Sequence, residues 1–335
     1  MVLGSARVKE REVASSPSSS STIRGVVMSN EMMRAVRFHE YGSPQVLRLE
    51  EVPRPQAQKG QVLVRVHAAG VNPIDWKMRR GGRETPLPAV PGIEFAGIVD
   101  SVGPDVTSPE PGREIFGVGR GTYAEYTAAA ADSVAAKPRN VSFNEAASIP
   151  IGARTAWAAL FDQAKLEKGQ RLLVHGAAGG VGLWAVQFGR WKEAEVIGTA
   201  SAANLEFIRS LGADTAIDYR ATRFEDAVRD VDVILDTVGG ETQDRSWKVI
   251  RPGGMLVTIV GPAPEEAARE HGVRTARIAP QPGIGPLLHR IGDMVESGIV
   301  KPHLQRVFPL DEVREAHTLC EQGHGRGRIV LHVSD

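Results

Sequence analysis

Residues 174–182 read VHGAAGGVG, in which the apolar stretch RLLVH at 171–175 runs into a turn made almost wholly of glycine and alanine. Such a turn leaves backbone N–H groups bare and lets a ligand come close; with a helix behind it, it becomes an anion site. The dinucleotide fingerprint asks for Gly-x-Gly-x-x-Gly between a strand and a helix, for a tight turn, close approach of a pyrophosphate, and strand–helix packing. The six positions here are Ala177, Ala178, Gly179, Gly180, Val181 and Gly182, so alanine stands in place of the first glycine. Alone, the turn fits an ordinary helix start as well. With helical VGLWAVQFGRW (181–191) after it and the apolar EVIGTAS (195–201) beyond, it predicts a dinucleotide-binding βαβ unit.

Outward from the turn the same rhythm continues. TAIDY (215–219), VDVILDTVGG (231–240) and GGMLVTIVG (253–261) add three apolar strands, with helical AANLEFIRSLG (202–212) among the connections. RTARIAP (274–280) offers a sixth strand before the amphipathic PLLHRIGDMVESG (286–298). Near-continuous apolar strands imply a parallel sheet covered on both faces. On the N-terminal side, NEAASIPIGARTAWAALF (144–161) reads as a helix interrupted near Pro150. Before it lie short strands set off by Gly and Pro: MRAVRF (33–38), VLRLEEV (46–52), QVLVRVHAA (61–69), EFAGIVDSVG (94–103), REIFGVG (113–119) and TYAEYTA (122–128). In the third, Val62, Val64 and Val66 share one face while Arg65 and His67 point the other way. These strands predict a curled β domain. HLQRVFPL (303–310), the helix DEVREAHTLCEQG (311–323) and RIVLHV (328–333) return to that character. The expected organisation is a discontinuous β domain at 33–150 and 300–335, with a doubly wound α/β domain at 151–299 inserted in it. Residues 1–32 contain the Ser-rich VASSPSSSSTIRG (13–25), with no hydrophobic period, and read as a disordered leader; Met28, Met32 or Met33 are candidate starts.

Composition narrows the function. In 335 residues, 40 Lys and Arg balance 40 Asp and Glu, which argues against nucleic acid or an anionic membrane as partner. No apolar run approaches the ~20 residues that span a bilayer. Cys320 is the only cysteine, which excludes an internal disulfide and fits a reducing compartment, the cytoplasm.

The second strand of the α/β domain discriminates between cofactors. An NAD site places Asp or Glu at its end for the ribose 2′-hydroxyl; a 2′-phosphate would be repelled there. Thr199, Ala200 and Ser201 carry no acid, and Ser201, Asn204 and the nearby Arg209 are phosphate donors, so NADP(H) is expected. The other reading of Ser201 and Asn204 is a cap on the next helix.

AAGVNPIDWK (68–77), PGIEFAG (91–97), GTYAEY (121–126), IGARTAWAAL (151–160), HGAAGGVG (175–182), DTVGG (236–240) and GRIVLHV (327–333) form an ordered string. It resembles the medium-chain dehydrogenase/reductase superfamily, and within it the zinc-free quinone oxidoreductase group that includes zeta-crystallin. The resemblance covers about residues 33–335 and implies a GroES-like β domain joined to a Rossmann domain. Where zinc-dependent relatives hold metal with Cys, His and Cys, the matching residues are Asn72, Ile93 and Ile151; two alkyl chains and an amide are not zinc ligands. Without a Lewis acid to stabilise an alkoxide, alcohol oxidation is disfavoured, and reduction of a conjugated carbonyl fits better. The implied activity is hydride transfer from NADPH to an α,β-unsaturated carbonyl or a quinone.

The resemblance also assigns residues. Asn72 is the first candidate beside the nicotinamide, its alternative a turn residue before Pro73. Lys77 is a second catalytic candidate, its alternative a solvated lysine, and Asp75 is expected to hold the loop. Tyr41 and Tyr123 are candidates for lining the substrate cleft, with packing as their alternative. Thr155, preceded by an unusual Arg154, is expected near the nicotinamide. Gly179, Gly180 and Val181 are expected to offer N–H groups to the pyrophosphate, Tyr219 to flank the adenosine, and Val260 and Gly261 to lie at the nicotinamide edge. A lysine common among relatives at 203–204 is missing, and Arg328 is the candidate to compensate, with an ordinary surface arginine as its alternative. His175 is expected to be structural and Cys320 packed. A homodimer through the sheet edge near 274–280 is expected from the family. The rival class is a non-catalytic NADPH-binding protein, a sensor or crystallin-like chain.

Overall fold

The computed structural model describes Met1 and residues 31–261, 265–278, 282–323 and 325–335. The expected leader lies, apart from Met1, Glu31 and Met32, outside the described residues, as do Ala279 and Pro280 of the expected dimer edge.

Six parallel strands form one sheet, ordered Thr215–Asp218, Glu195–Ala200, Arg171–His175, Val231–Asp236, Ile250–Thr258, Arg274–Arg277. In chain order this is third, second, first, fourth, fifth, sixth, so the direction of winding reverses between the first and fourth strands. The carboxyl ends flanking that reversal form the crevice where such sheets take ligands. Both faces are covered. Leu172, Val174, Val196, Val233, Leu235 and Val257 pack on one side with Trp184, Phe188 and Trp157. Leu173, Ile197, Ile234 and Leu256 pack on the other with Phe224 and Trp247. Alternate residues thus meet helices on opposite faces, which is why the strands read as unbroken apolar runs.

The β domain is built on Gln61–Val71, eleven residues long. Glu94–Val102 pairs antiparallel along one edge; on the other, Tyr126–Ala130 takes residues 61–65 and Arg328–His332 takes residues 68–71. Leu304–Pro309 then lies parallel to Arg328–His332. The alternation expected in Gln61–Val71 holds on only one face. Val62, Val64 and Val66 are buried, but so are Leu63 and His67 opposite, because the helix Phe143–Ala147 covers that side and stacks the Phe143 ring 4.2 Å from the His67 ring. Burial lowers the His67 pKa, and Arg65 adds to the effect.

The interrupted helix resolves into Phe143–Ala147 and Pro150–Trp157, followed by a wider turn over Ala158–Gln163. Ser142 caps the first, its hydroxyl accepting from Glu145 N–H at 3.2 Å. Proline opens the second, at the position where its missing N–H costs nothing.

Candidate active site

At the glycine turn the backbone carries the geometry. A Cβ on Gly182 would lie 2.2 Å from Gly176 O, so only glycine lets the helix Gly182–Trp191 start this close to the strand end. Gly179 N–H is already engaged, donating to Gly176 O at 2.9 Å. The expectation that Gly179 offers its N–H to a ligand is therefore corrected: the turn closes on itself there. Gly180 and Val181 N–H have no partner among the described residues and remain available. A cradle without Cβ groups, bare N–H donors and a helix behind them fit a dinucleotide pyrophosphate.

The helix Pro150–Trp157 presses on the same turn, since a Cβ on Gly152 would lie 2.4 Å from Gly180 O. Thr155, one turn on and half-buried, shares that face. Val260 follows the fifth strand and packs its Cγ2 3.0 Å from the Cβ position of Gly239. It is 39% exposed at the carboxyl edge, with Gly261 next to it.

On the β-domain side sits a buried polar knot centred on Glu94, which is fully buried. Its Oε1 accepts from Asn72 Nδ2 at 2.7 Å and from the Arg328 guanidinium, and its Oε2 accepts from Ile151 N–H at 2.7 Å. Arg328 Nη2 also donates to Asn72 Oδ1 at 2.8 Å. The three residues that the sequence resemblance matches to metal-ligand places all border one carboxylate: Asn72 and Ile151 donate to it, and Ile93 precedes it. Ile93 and Ile151 supply only alkyl side chains, so the donor set does not fit zinc. Among the described residues no cluster of three His, Cys, Asp or Glu is placed to hold a metal. Glu94 fits because position 70 is glycine, where a Cβ would lie 2.2 Å from Glu94 Oε1. Sequence reasoning missed Glu94. The signal was a carboxylate heading the apolar strand EFAGIV, because a buried charge needs a partner.

Arg328 joins the two halves. A Cβ on Gly180 would lie 2.7 Å from Arg328 Nη1, and the preceding Gly327 N–H donates to Ala178 O at 2.9 Å. Arg328 is only 5% exposed, so it is neither a surface arginine nor free to replace the missing lysine. Half-buried Arg154 has its pKa lowered by burial, opposed by the Glu94 charge.

Asn72 caps the helix Pro73–Arg79. Asp75 Oδ2 accepts from Asn72 N–H at 2.8 Å and from Tyr123 OH at 2.9 Å, while Asp75 N–H donates back to Asn72 O at 3.0 Å. Asp75 holds the loop that orients Asn72. Burial raises its pKa from 3.8 to about 7, against the pull of its hydrogen bonds. Tyr123 is fully buried, which corrects its assignment as a cleft-lining residue: its hydroxyl steadies Asp75. Lys77 is exposed with its ammonium 5.6 Å from the Trp76 ring, and the knot does not include it. Tyr41 is 40% exposed and pins the loop after the helix, donating to Thr85 O at 2.9 Å.

Ser201 and Asn204 bond each other, Nδ2 to Oγ at 3.2 Å, beyond the second strand, and Tyr219 N–H donates to Ala200 O at 3.2 Å beside them. His175 is buried between Thr199 Oγ1 at 3.2 Å and Ser246 Oγ at 3.0 Å, and burial lowers its pKa to about 4. Burial pushes the Cys320 thiol up to about 12, which leaves no thiolate for chemistry.

Fold and site together define a two-domain oxidoreductase in which a glycine turn of the dinucleotide-binding type lies against a buried polar knot of the β domain. A family model for the alcohol dehydrogenase GroES-like domain matches residues 58–139, and one for zinc-binding dehydrogenase matches 211–331. The chain is 36% identical over 318 residues to the 2-methylene-furan-3-one reductase of Solanum lycopersicum, covering 90% of this chain and 79% of that one. It is 34% identical to the NADPH-dependent alkenal/one oxidoreductase, chloroplastic, of Arabidopsis thaliana, covering 95% and 85%. The quinone oxidoreductase structure from Coxiella burnetii superposes with a TM-score of 0.86 at 34% identity, covering 90% of this chain and all of that one. The chain belongs to the medium-chain dehydrogenase/reductase superfamily, in its zinc-free quinone oxidoreductase group.

Proposed function

We propose that the chain is a zinc-independent NADPH-dependent reductase of quinones or of the C=C bond in α,β-unsaturated carbonyls. The observation that carries this reading is the Glu94–Asn72–Arg328 knot standing where relatives hold metal, directly against the glycine turn. The chemistry that a bound nicotinamide supplies is hydride donation. Gly180 and Val181 N–H would hold its pyrophosphate, and Thr155 with Val260 and Gly261 would border the nicotinamide end. Asn72, clamped through both ends of its amide, keeps a fixed dipole beside the substrate, which suits a conjugated carbonyl whose incoming charge spreads onto oxygen. Ile93 and Ile151 present alkyl surface where a Lewis acid would otherwise sit. Asp75 and Tyr123, the ionisable pair behind Asn72, are fully buried, so the proton comes from solvent.

The names of the relatives support conjugated carbonyls as substrates, since two of them are reductases or oxidoreductases of enones and alkenals. The test is NADPH consumption against a panel of quinones, enals and enones, in parallel with NADPH binding. Turnover is expected. Binding without turnover on any member would overturn the enzyme reading in favour of a non-catalytic NADPH-binding protein.

Two further expectations belong to this proposal. A homodimer would form by pairing of the outer strand Arg274–Arg277 with its copy, because an exposed edge readily pairs; light scattering that finds monomer overturns it. Among the described residues no helix is long and apolar enough to cross a membrane. The cytoplasm is the compartment proposed, and fractionation into an organelle overturns that.

A further inference from the structure

With Arg328 committed to Glu94 and Asn72, the expected compensation for the missing lysine at 203–204 has to come from elsewhere. Arg209 does not supply it, since its guanidinium pairs with Glu206. Two other arginines stand beside residues that flank the end of the second strand, and they come from different parts of the chain. Arg220 follows Tyr219, whose N–H is tied to Ala200 O, the last residue of that strand, at 3.2 Å. The Arg220 guanidinium stands 5.5 Å from the centroid of the Tyr219 ring, itself 46% exposed. The nearest carboxylate on that segment, Asp218, accepts the Arg220 backbone N–H at 3.1 Å. Arg326 comes from the C-terminal segment. Gly327 N–H, on the residue after it, is anchored to Ala178 O in the glycine turn, and its guanidinium lies 5.0 Å from the Phe207 ring centroid. Phe207 is on the helix Leu205–Ser210, directly after Ser201 and Asn204. Both arginines are exposed, and neither has a carboxylate partner among the described residues.

We propose that Arg220 and Arg326 are the specificity-determining pair that selects a dinucleotide bearing a 2′-phosphate over one without it. Each guanidinium stands over an aromatic ring, which limits the freedom it would lose on binding, and its fork of donors matches phosphate oxygens. Ser201, the residue after the second strand, adds a hydroxyl. Lys301 stands on the same side as Arg326, and both cations, after burial, hold the His303 pKa below its ordinary value; the His303 ring packs 5.1 Å from Phe207. Arg326 and Lys301 together make a positive field at His303, and among the described residues Arg326 has no salt-bridge partner, a setting suited to a phosphate dianion.

The inference rests on reading the glycine turn as a nicotinamide dinucleotide site, and the test separates the two. Calorimetric binding of 2′,5′-ADP and of 5′-AMP is compared in the wild-type chain, in Arg220→Ala, Arg326→Ala and the double variant, with NADPH as a positive control. The wild type is expected to favour 2′,5′-ADP by more than about tenfold, each single variant to reduce that ratio several-fold, and the double variant to bring it close to one. Because 5′-AMP affinity serves as the internal reference, a general folding defect does not mimic the result, and Arg326→Lys should restore part of the preference. NADPH binding with an unchanged ratio in the double variant, or with no preference in the wild type, overturns the assignment of the arginines alone. Absence of binding by NADPH and both fragments overturns the cofactor reading, and this inference with it.

Discussion

At the glycine turn the geometry is left to backbone: two N–H groups with no partner among the described residues, a helix start, and close approaches that are allowed because Cβ atoms are missing. Around Glu94 the neighbouring knot is made of side chains, with one buried carboxylate collecting an amide, a guanidinium and a backbone donor. The two kinds of construction fail differently. A backbone turn tolerates a methyl that the core can house, as it does Ala177 in place of the fingerprint's first glycine, but not one driven into its own carbonyl at Gly182. A buried charge cluster tolerates neither partner's loss, because what remains is an uncompensated ion.

The sharpest way to break the comparison is at the charged side. Arg328→Met leaves Glu94 buried without its cation and is expected to cost about 3–5 kcal/mol of stability, while the Glu94→Gln/Arg328→Met double variant should lose less than Arg328→Met alone. Urea unfolding measures both; a double variant as damaged as the sum of the singles would show that the pair is not coupled. On the backbone side, Gly182→Ala drives a methyl into Gly176 O and should cost roughly 2–3 kcal/mol, with NADPH affinity falling on the order of tenfold or more. Unaltered binding there would mean that the turn is not the cofactor cradle.

Protonation provides a subtler contrast. Asp75 has a folded pKa of about 7 against 3.8, so the folded state holds its proton more tightly. The stability this contributes is complete below about 3.8 and is lost as pH rises through about 7. His175, in the α/β domain, behaves oppositely: its pKa is lowered from 6.5 to about 4, so its contribution is present above 6.5 and is lost as pH falls through about 4. Asp75→Asn should therefore gain stability relative to the wild type between pH values of about 5 and 8, by about 1–3 kcal/mol. Parallel unfolding curves at the two pH values would refute it. The smallest expected effect is kinetic. Asn72→Ala removes the amide that bridges Glu94 and Arg328, and should reduce kcat by about tenfold while leaving NADPH affinity within about threefold; equal losses in both would assign Asn72 to binding rather than to turnover.

What the sequence made legible follows the same division. Strands, the glycine turn and the return of β-domain character after residue 300 are local, because periodicity and turn residues act over a few positions. Even there, the engagement of Gly179 N–H by Gly176 O was hidden, since it depends on how the turn closes. Glu94 and Arg328 lie 234 residues apart and are joined only by the fold. Arg326 and Arg220 were hidden for the same reason, whereas Arg209, the arginine closest in sequence to the expected phosphate site, is occupied by its neighbour Glu206. For Tyr123 the sequence left cleft lining and packing open, and its environment inside the β domain decides for packing.

The strand Arg328–His332 completes the β-domain sheet and brings the guanidinium to Glu94. During synthesis Asn72, Glu94 and the glycine turn all leave the ribosome first, so a nascent chain holds an acidic residue awaiting its counter-ion until the final strand emerges. The knot is therefore completed late, by the segment translated last among its parts, and a stalled or clipped chain would keep the six strands of the parallel sheet beside a Glu94 without its cation.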